Sequence, residues 1–360
     1  MFDFSLGDQL ELIVETAGGF AARELAPNLR GHEGDRAVGV QVRKAYAVMG
    51  LQSLELPEAL GGAGLGSLAR VLVNEALAAG DAGAALGLDP LGPALYPLIE
   101  LGGAAAVREY ALPLLGSDGA RAVLVTDADA RFEVGDTLSG NVPWVPADRV
   151  DLLVVLRGDE AFVVREGIER DAVRGAGLRA AGASALRLTA APIAARWTDA
   201  AGAARARARA RLYMASLLVG VLRQAADFSR QYALTREAFG RPIAHHQGLA
   251  FLITDMRSAV DGARLLLHEA AWRVDHGLEC ASAAAAAFVE AIEAAALVGP
   301  NGVQILGGHG FMQDYPVEKY MRESRLLGLT LGGIDTARDD AARVFDAATG
   351  GVMLSHVADR

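Results

Sequence analysis

The chain has 360 residues, of which 52% are hydrophobic and 22% are charged, and its formal net charge is −10. This length predicts two or three domains or one large layered subunit. The acidic residues are spread along the chain, so the protein lacks the basic surface that a nucleic-acid-binding protein needs. The single cysteine, Cys280, excludes an internal disulfide framework, and the acidic N-terminus lacks a signal-peptide pattern, so we expect a cytoplasmic protein.

The first third of the sequence predicts helices. Ser5 is a candidate N-cap, and apolar residues then recur every three or four positions as far as Pro27. Residues 42–54 and 68–83 continue this spacing. We therefore predict an all-helical N-terminal domain over residues 1–118.

Strand-like segments then replace the helices. Short runs of branched apolar residues occupy 121–126, 151–156 and 161–165, and Gly, Asp and Arg separate them. A last pair of strands is expected in 182–198. The sequence thus predicts a small β domain over residues 119–200.

The rest of the chain, residues 201–360, predicts a four-helix bundle. The helix over 203–234 is apolar on most sides and is expected at the centre of the bundle. The next helix has one apolar face, made of Leu249, Ile253, Met256, Val260, Ala263, Leu267, Ala270 and Val274. Further helices are expected from 281 to a stop at Gly299-Pro300, over 317–328 and over 334–348.

Three patterns in this region do not predict a site. Glutamates interrupt the alanine-rich run 281–299, so no membrane span is expected. His245, His246 and His309 have a poor spacing for metal ligands, and no metal is expected. The arginines of 205–211 favour a solvated start of a helix.

Two glycine-bearing connectors interrupt the bundle, "TREAFGRPIAHHQG" (235–248) and "QILGGHGFMQDYP" (304–316). In the first, Arg236 and Arg241 supply guanidinium groups suited to phosphate oxygens. In the second, glycines remove Cβ atoms where a backbone approaches another group closely. Together they predict a pyrophosphate site without the GxGxxG unit. The simpler interpretation is a pair of interhelix turns with solvated arginines.

Motifs along the whole chain resemble those of the acyl-CoA dehydrogenase family of flavoproteins. The clearest are "YALTREAFGRPIAHHQ" and "QILGGHGFMQDYPVEKYMRES" in the bundle, with "LELPEALGGAGLG" and "VPWVPADRVDLLVVL" before it. The resemblance implies a mainly α fold: an N-terminal helical domain, a reduced middle β-barrel and a C-terminal four-helix bundle. It also implies α,β-dehydrogenation of an acyl-CoA thioester with FAD, and an electron-transfer flavoprotein as acceptor.

The resemblance further implies roles for individual residues. The residues that match the family's FAD contacts are Arg236, Phe239, Gln247, Gln304, Gly307, Gly308 and Trp144. All but Trp144 match positions that reach the cofactor of a neighbouring subunit, whereas Trp144 matches the aromatic beside the flavin ring. Arg211 matches an arginine beside the catalytic region.

The positions that carry the family's catalytic base have no carboxylate here. The usual position is Leu331, and Gly333 replaces the threonine that follows it in the family. The alternative position, on the first long helix of the bundle, is Ala210. Pro146 stands where a hydroxyl residue normally meets the flavin, so the resemblance implies a reduced cradle for the flavin ring.

Three functions remain open on the sequence alone. The first is the shortened, FAD-completing subunit of a heterotetramer with a catalytic homologue, as in members that act on steroid side-chain CoA esters. The second is a self-sufficient homo-oligomeric enzyme with a displaced base such as Asp335, although "GIDTARDD" also fits an acidic first turn of a helix. The third is a flavin-free assembly protein, against which the retained FAD-contact residues argue.

Overall fold

Helices form the first part of the chain, as predicted. The computed structural model describes residues 6–346, so Ser5 and its predicted capping role lie outside the described residues. The first helix follows Gly7, and the backbone stays helical through Pro27 by way of a π-helical turn and a 3₁₀ turn. The helices are α1 (Asp8–Phe20), α2 (Leu29–Asp35), α3 (Val40–Val48), α4 (Ser67–Leu88), α5 (Leu95–Glu100), α6 (Gly103–Ala106) and α7 (Leu112–Leu115).

The long helix α4 is the core of this part. Nearly all of its 22 residues are buried, because it packs against α1 on one side and against the bundle on the other. Asp81 breaks its helical geometry with φ −167° and ψ 110°, which divides α4 into two helical segments. The buried break brings a carboxylate into the interior of the fold.

A curled sheet of seven strands follows. Its strands are β1 (Ala122–Thr126), β2 (Phe132–Val134), β3 (Thr137–Val145), β4 (Leu152–Arg157), β5 (Glu160–Val164), β6 (Ile168–Ala172) and β7 (Ser184–Thr198). The order is β1-β4-β5-β7-β3-β2 with β6 paired to β7, and only the β1–β4 pair is parallel.

The predicted last pair of strands is wrong. Residues 184–198 form one strand of 15 residues, β7, which pairs with β5 over its second half and with β3 and β6 over its first half. A single strand can serve both halves because the sheet curls around it, with a register shift beside Val163 and Val164. Strand β6, "IERDA", was not predicted, because four of its five residues are exposed and it lacks an apolar pattern.

The bundle consists of α8 (Ala200–Thr235), α9 (Gln247–Asp275), α10 (Ala281–Leu306), α11 (Val317–Leu327) and α12 (Gly333–Asp346). As predicted, α8 is central: it packs against α4, α9, α10 and α11. The apolar face predicted for α9 also forms. Six of its eight residues are buried, and Leu249 and Ile253 pack against the core at its N-terminal end.

The predicted helix stop at Gly299-Pro300 is wrong, because α10 continues through Pro300 to Leu306. Gly299 serves close packing instead, since a Cβ there would lie 3.1 Å from Cγ of Met321 on α11. Tertiary contacts with the neighbouring helices thus outweigh the local cost of an interior proline. Two helical segments, α4 and Ala281–Phe311, are long and apolar enough to cross a membrane by length and composition alone. This is weak evidence for a membrane span, because buried core helices such as α4 pass the same test.

Candidate functional site

A cavity of about 400 Å³ lies between the sheet and the bundle. Strands β1 and β3 form one wall, and the Gly92-Pro93 turn with Met214 of α8 forms another. The segment 329–335, which leads into α12, closes the cavity. Its volume falls in the range of ordinary small-molecule sites, and most of its lining side chains are apolar.

Leu331, the residue at the predicted base position, lines this cavity. It is 4% exposed, so the cavity wall holds a buried isobutyl group at this point. Leu331, Gly332 and Gly333 have successive φ values of 55°, 80° and 67°. The left-handed region is cheap for the two glycines but costs a leucine about 1–2 kcal/mol. Ala210 is fully buried in α8 and does not line the cavity.

The three charged residues in the described cavity wall are Arg121, Asp129 and Asp335. Asp335 lies in the first turn of α12, where the helix dipole favours a negative charge, and it is exposed. Asp129 is held by neighbouring backbone and side-chain donors. Its Oδ2 accepts from the amide of Thr126 at 2.9 Å and from Thr126 Oγ1 at 2.8 Å, and its Oδ1 accepts from the amide of Gly332 at 3.0 Å.

Asp129 therefore ties the end of β1 to the loop that carries Leu331. Sequence reasoning missed this residue, because an aspartate three positions after a threonine is an ordinary turn signal. Only the contact with Gly332, which is 203 residues away, distinguishes it. With three donors on its two oxygens, the carboxylate is a structural link and is poorly available as a base.

Trp144 and Pro146, the residues matched to the flavin wall, lie in and just after β3 and both line the cavity. The indole Nε1 of Trp144 is buried and has no acceptor among the described residues. The carbonyl of Pro146 accepts a hydrogen bond from Arg121 Nη2 at 3.3 Å. No hydroxyl stands at this position, as the sequence showed.

Arg211 lies outside this cavity and lines a second one of about 250 Å³ between α8, the start of α10 and α12. Its side chain is buried and forms an ion pair with Asp340 at 2.6 Å. Burial lowers the pKa of the Arg211 guanidinium, and Asp340 opposes that shift. Arg211 also donates to the carbonyl of Thr336 at 3.4 Å, so it contacts the helix that follows Leu331.

The connector between α8 and α9 forms a small hairpin, β8 (Glu237–Ala238) with β9 (Arg241–Pro242). The amide of Ile243 donates to the carbonyl of Arg236 at 2.8 Å and closes it. The Arg236 side chain is exposed and makes no hydrogen bond or ion pair within the described chain. Gln247, the first residue of α9, is also exposed.

Phe239 stands at the tip of this hairpin. Its side chain is 96% exposed, and its φ of 54° is unfavourable for a residue with a large side chain. His246 packs edge-on against the ring at 6.0 Å and bonds to the carbonyl of Ala238 at 3.2 Å. A strained, fully presented aromatic side chain is typical of a contact surface.

The second connector begins at the exposed Gln304 and continues as a 3₁₀ turn over Gly307–Phe311. A Cβ on Gly307 or Gly308 would meet nothing within 4 Å, so these two positions leave open space for an approaching group. Gly310 differs, because a Cβ there would lie 2.3 Å from the carbonyl oxygen of Val303. Within the described chain, packing explains Gly310, and a φ of 58° at the end of α10 explains Gly307.

An aromatic cluster joins the two connectors at one end of the bundle. Tyr232 on the last turn of α8 bonds through its hydroxyl to Nδ1 of His309 at 2.7 Å. His309 stacks on Tyr315 with a centroid distance of 4.8 Å, and the two tyrosines meet edge to face at 5.9 Å. Sequence patterns do not predict this cluster, since Tyr232 lies in a periodic helical segment whereas Tyr315 lies in the second connector, 83 positions away.

Apart from Ala210 and Arg211, which lie outside the first cavity, the candidate residues form two groups. Trp144, Leu331 and Asp335 share the cavity, whereas Arg236, Phe239, Gln247, Gln304, Gly307 and Gly308 lie on the two connectors and do not line it. Within residues 6–346, no cluster of three or more His, Cys, Asp or Glu side chains has a geometry suited to a metal ion.

Comparisons with known proteins match both helical parts of the chain. Residues 7–118 match the model described as "Acyl-CoA dehydrogenase, N-terminal domain", and residues 200–345 match "Acyl-CoA dehydrogenase, C-terminal domain". The cyclohex-1-ene-1-carbonyl-CoA dehydrogenase of Syntrophus aciditrophicus is 28% identical over 362 residues, which cover 91% of this chain and 87% of that protein.

Solved structures share the fold. Butyryl-CoA dehydrogenase from Megasphaera elsdenii superposes with a TM-score of 0.83 at 21% identity, over 95% of this chain and 99% of that chain. The structure of PigA with FAD and proline has a TM-score of 0.83 at 20% identity, over 96% of this chain and 99% of that chain. At these identities the likeness concerns the fold alone.

Proposed function

Because this chain belongs to the acyl-CoA dehydrogenase family, we propose that it is the FAD-completing subunit of a heteromeric acyl-CoA dehydrogenase. In this proposal a catalytic homologue supplies the base, and this chain completes the cofactor site of that homologue. The observation that carries the proposal is the pair Leu331 and Ala210, which puts buried apolar side chains at both base positions.

The chemistry explains why this pair matters. Dehydrogenation of an acyl thioester removes a proton from the α-carbon, and that step needs a base within hydrogen-bonding reach. A leucine side chain cannot accept a proton. Asp129 lines the same cavity, but its oxygens already accept from Thr126 and Gly332.

The residues of the two connectors fit a dinucleotide such as FAD. Arg236 has a free guanidinium for a phosphate, and Gly307 and Gly308 leave room for a backbone approach. Phe239 is exposed beside them on the hairpin and suits a flat adenine-like ring. FAD, when bound, would accept the substrate's hydride equivalent. These residues of this chain would position it from across a subunit interface.

One observation favours a second candidate function, a self-sufficient enzyme with a displaced base. Asp335 lines the same cavity as Leu331 and follows it by four residues in the sequence. Its exposed position in the first turn of α12 equally fits a simple helix-stabilising role. Substitution of this residue separates the two candidates.

The first test uses the complex of this chain with a catalytic homologue. Arg236→Ala removes a charge-assisted contact worth about 1.5–3 kcal/mol, so FAD affinity should fall about tenfold to a hundredfold. Arg230→Ala is the matched control, because Arg230 is an exposed arginine on α8 upstream of the connector. Equal FAD retention by the two variants contradicts the cofactor role of Arg236.

The second test concerns activity. The isolated chain, loaded with FAD, should not dehydrogenate any acyl-CoA above background, and turnover should appear with the homologue. Turnover should vanish when the homologue's base is changed to glutamine. Robust turnover by the isolated chain overturns the proposal. Loss of that turnover in Asp335→Asn would then support the displaced base.

A further inference from the structure

Tyr232 contacts both connectors at once. It lies on the last turn of α8, four residues before Arg236, and its carbonyl accepts a hydrogen bond from the Arg236 amide at 2.8 Å. Its hydroxyl bonds at 2.7 Å to Nδ1 of His309, which directly follows Gly307 and Gly308 in the chain. One residue thus joins the backbone of the candidate phosphate-binding arginine to the turn that carries the two open glycines.

The glycine turn of the second connector depends on His309 for its position. Gly307 and Gly308 are exposed, have no side chain that could anchor them, and have a freer backbone than other residues. His309 is the first residue after them that has a side chain, and its half-buried ring stacks on Tyr315 with an angle of 11° between the ring planes. Its Nδ1 is bonded to Tyr232, so the imidazole is held on two sides.

The end of the second connector is fixed by a residue of the N-terminal helices. Arg30 of α2 donates from Nε to the carbonyl of Gln313 at 2.9 Å and from Nη2 to the carbonyl of Tyr315 at 2.8 Å. Glu33 and Glu318 hold its guanidinium through ion pairs at 2.8 Å and 2.6 Å. The aromatic cluster therefore connects the first connector to a part of the second connector that is anchored to the rest of the subunit.

Arg236 is held only by its backbone in the described chain, through hydrogen bonds with Tyr232 and Ile243. Its side chain is exposed, so the position of this backbone decides where the guanidinium can reach. A diphosphate is a compact ligand, and the guanidinium and the glycine turn have to meet it together. Holding both in place before binding reduces the ordering cost that their contacts must overcome.

We infer that Tyr232 and His309 are positioning residues for FAD: their hydrogen bond holds Arg236 and the turn at Gly307 and Gly308 at the spacing that the diphosphate requires. This inference rests on the proposed function, because it takes the two connectors to be the FAD contacts. Neither residue has to touch the cofactor. A tyrosine hydroxyl can donate to a ring nitrogen or accept from it, so the bond forms with either tautomer of the imidazole.

The test is a double-mutant cycle on the complex of this chain with a catalytic homologue, in which the apo complex is titrated with FAD and flavin fluorescence is followed. Tyr232→Phe keeps the ring and removes only the hydroxyl, so FAD affinity should fall about 2- to 10-fold. In an Arg236→Ala background the same substitution should have a much smaller effect, because the arginine that Tyr232 positions is gone. A general loss of stability would instead lower the affinity by the same factor in both backgrounds.

Substitutions of His309 test the bond from its other side. His309→Asn keeps a hydrogen-bonding atom near the position of Nδ1, so it should retain more FAD affinity than His309→Leu, which cannot bond to Tyr232. Tyr110→Phe is the matched control and should leave FAD affinity unchanged. Its hydroxyl bonds to the carbonyl of Ala194 at 3.4 Å, and neither residue belongs to a connector.

The outcomes separate this inference from the proposed function. If Arg236→Ala weakens FAD binding but Tyr232→Phe has no effect, or the same effect in both backgrounds, the positioning role is wrong and the proposed function stands. If Arg236→Ala leaves FAD affinity unchanged, the cofactor role of the connectors is wrong and the inference fails with it. Where Tyr232→Phe does not fold, the two His309 variants decide, and equal FAD affinities of His309→Asn and His309→Leu overturn the inference.

Discussion

Lys319 offers a direct test of how a buried ionic cluster holds the helical parts together. The sequence has only two lysines, and Lys319 on α11 is 1% exposed. Its ammonium bonds to Asp81 at the break in α4 at 2.8 Å and to Glu323 at 2.5 Å. Lys319→Met keeps the length of the side chain but leaves two buried carboxylates without their cation.

The structure sets the size of the effect. Removing one partner of a buried ion pair typically costs about 3–5 kcal/mol, because the remaining charge loses its compensation. Asp81 and Glu323 are each 1% exposed, so solvent cannot supply that compensation. We therefore expect Lys319→Met to lower the free energy of unfolding by about 3–5 kcal/mol at pH 8.

The pH dependence follows from Glu323. Burial raises its pKa from 4.5 to about 7, and the nearby Asp81 adds to the shift while Lys319 opposes it. A raised pKa in the folded state means that the stability from this group is complete below pH 4.5 and is lost as the pH rises through about 7. Removing Lys319 raises this pKa further. The cost of Lys319→Met should thus be smaller at pH 5.5 than at pH 8.

The assay is urea unfolding followed by far-UV circular dichroism at both pH values. Lys44→Met is the control, since Lys44 is the other lysine and is exposed. Glu323→Gln added to Lys319→Met should recover part of the loss, because it removes one uncompensated charge. A cost at pH 8 no larger than that of Lys44→Met, or a cost that grows toward pH 5.5, refutes the reasoning.

Two further predictions concern packing. Gly220→Ala should cost about 1–3 kcal/mol, since a Cβ on this residue of α8 would lie 2.4 Å from the carbonyl oxygen of Glu75 on α4. Gly262 lies in the interior of α9, and a Cβ there would meet nothing within 4 Å, so Gly262→Ala should raise the free energy of unfolding by about 0.5–1 kcal/mol. If the urea midpoints of the two variants shift in the same direction, this contrast is wrong. Tyr232→Phe should lower the free energy of unfolding by about 0.5–1.5 kcal/mol, because it removes the hydrogen bond to His309. Amide hydrogen exchange over residues 307–311 should also become faster. Unchanged exchange would show that the aromatic cluster does not hold the second connector.

The sequence by itself determined the helical parts and the order of the main elements. Helix α9 shows why: its apolar residues recur with the helical period, and this local pattern already contains the face that packs on the bundle. The strands β1, β4 and β5 were also predicted, because uninterrupted branched apolar runs are characteristic of buried strands. The motifs that identify the family are likewise local stretches of sequence. The domain boundaries and the roles of the site residues stay predictions.

Only the tertiary structure decided the features that depend on distant residues. Pro300 stays helical because neighbouring helices stabilise α10, and the single strand β7 forms because two halves of a curled sheet need the same partner. The link from Asp129 to Gly332 and the pairing of Asp81 with Lys319 join residues more than 200 positions apart. Arg121 is one arginine among many in the sequence. Only folding buries it in the cavity wall, where its guanidinium donates to the carbonyls of Leu86 and Asp89 at the end of α4.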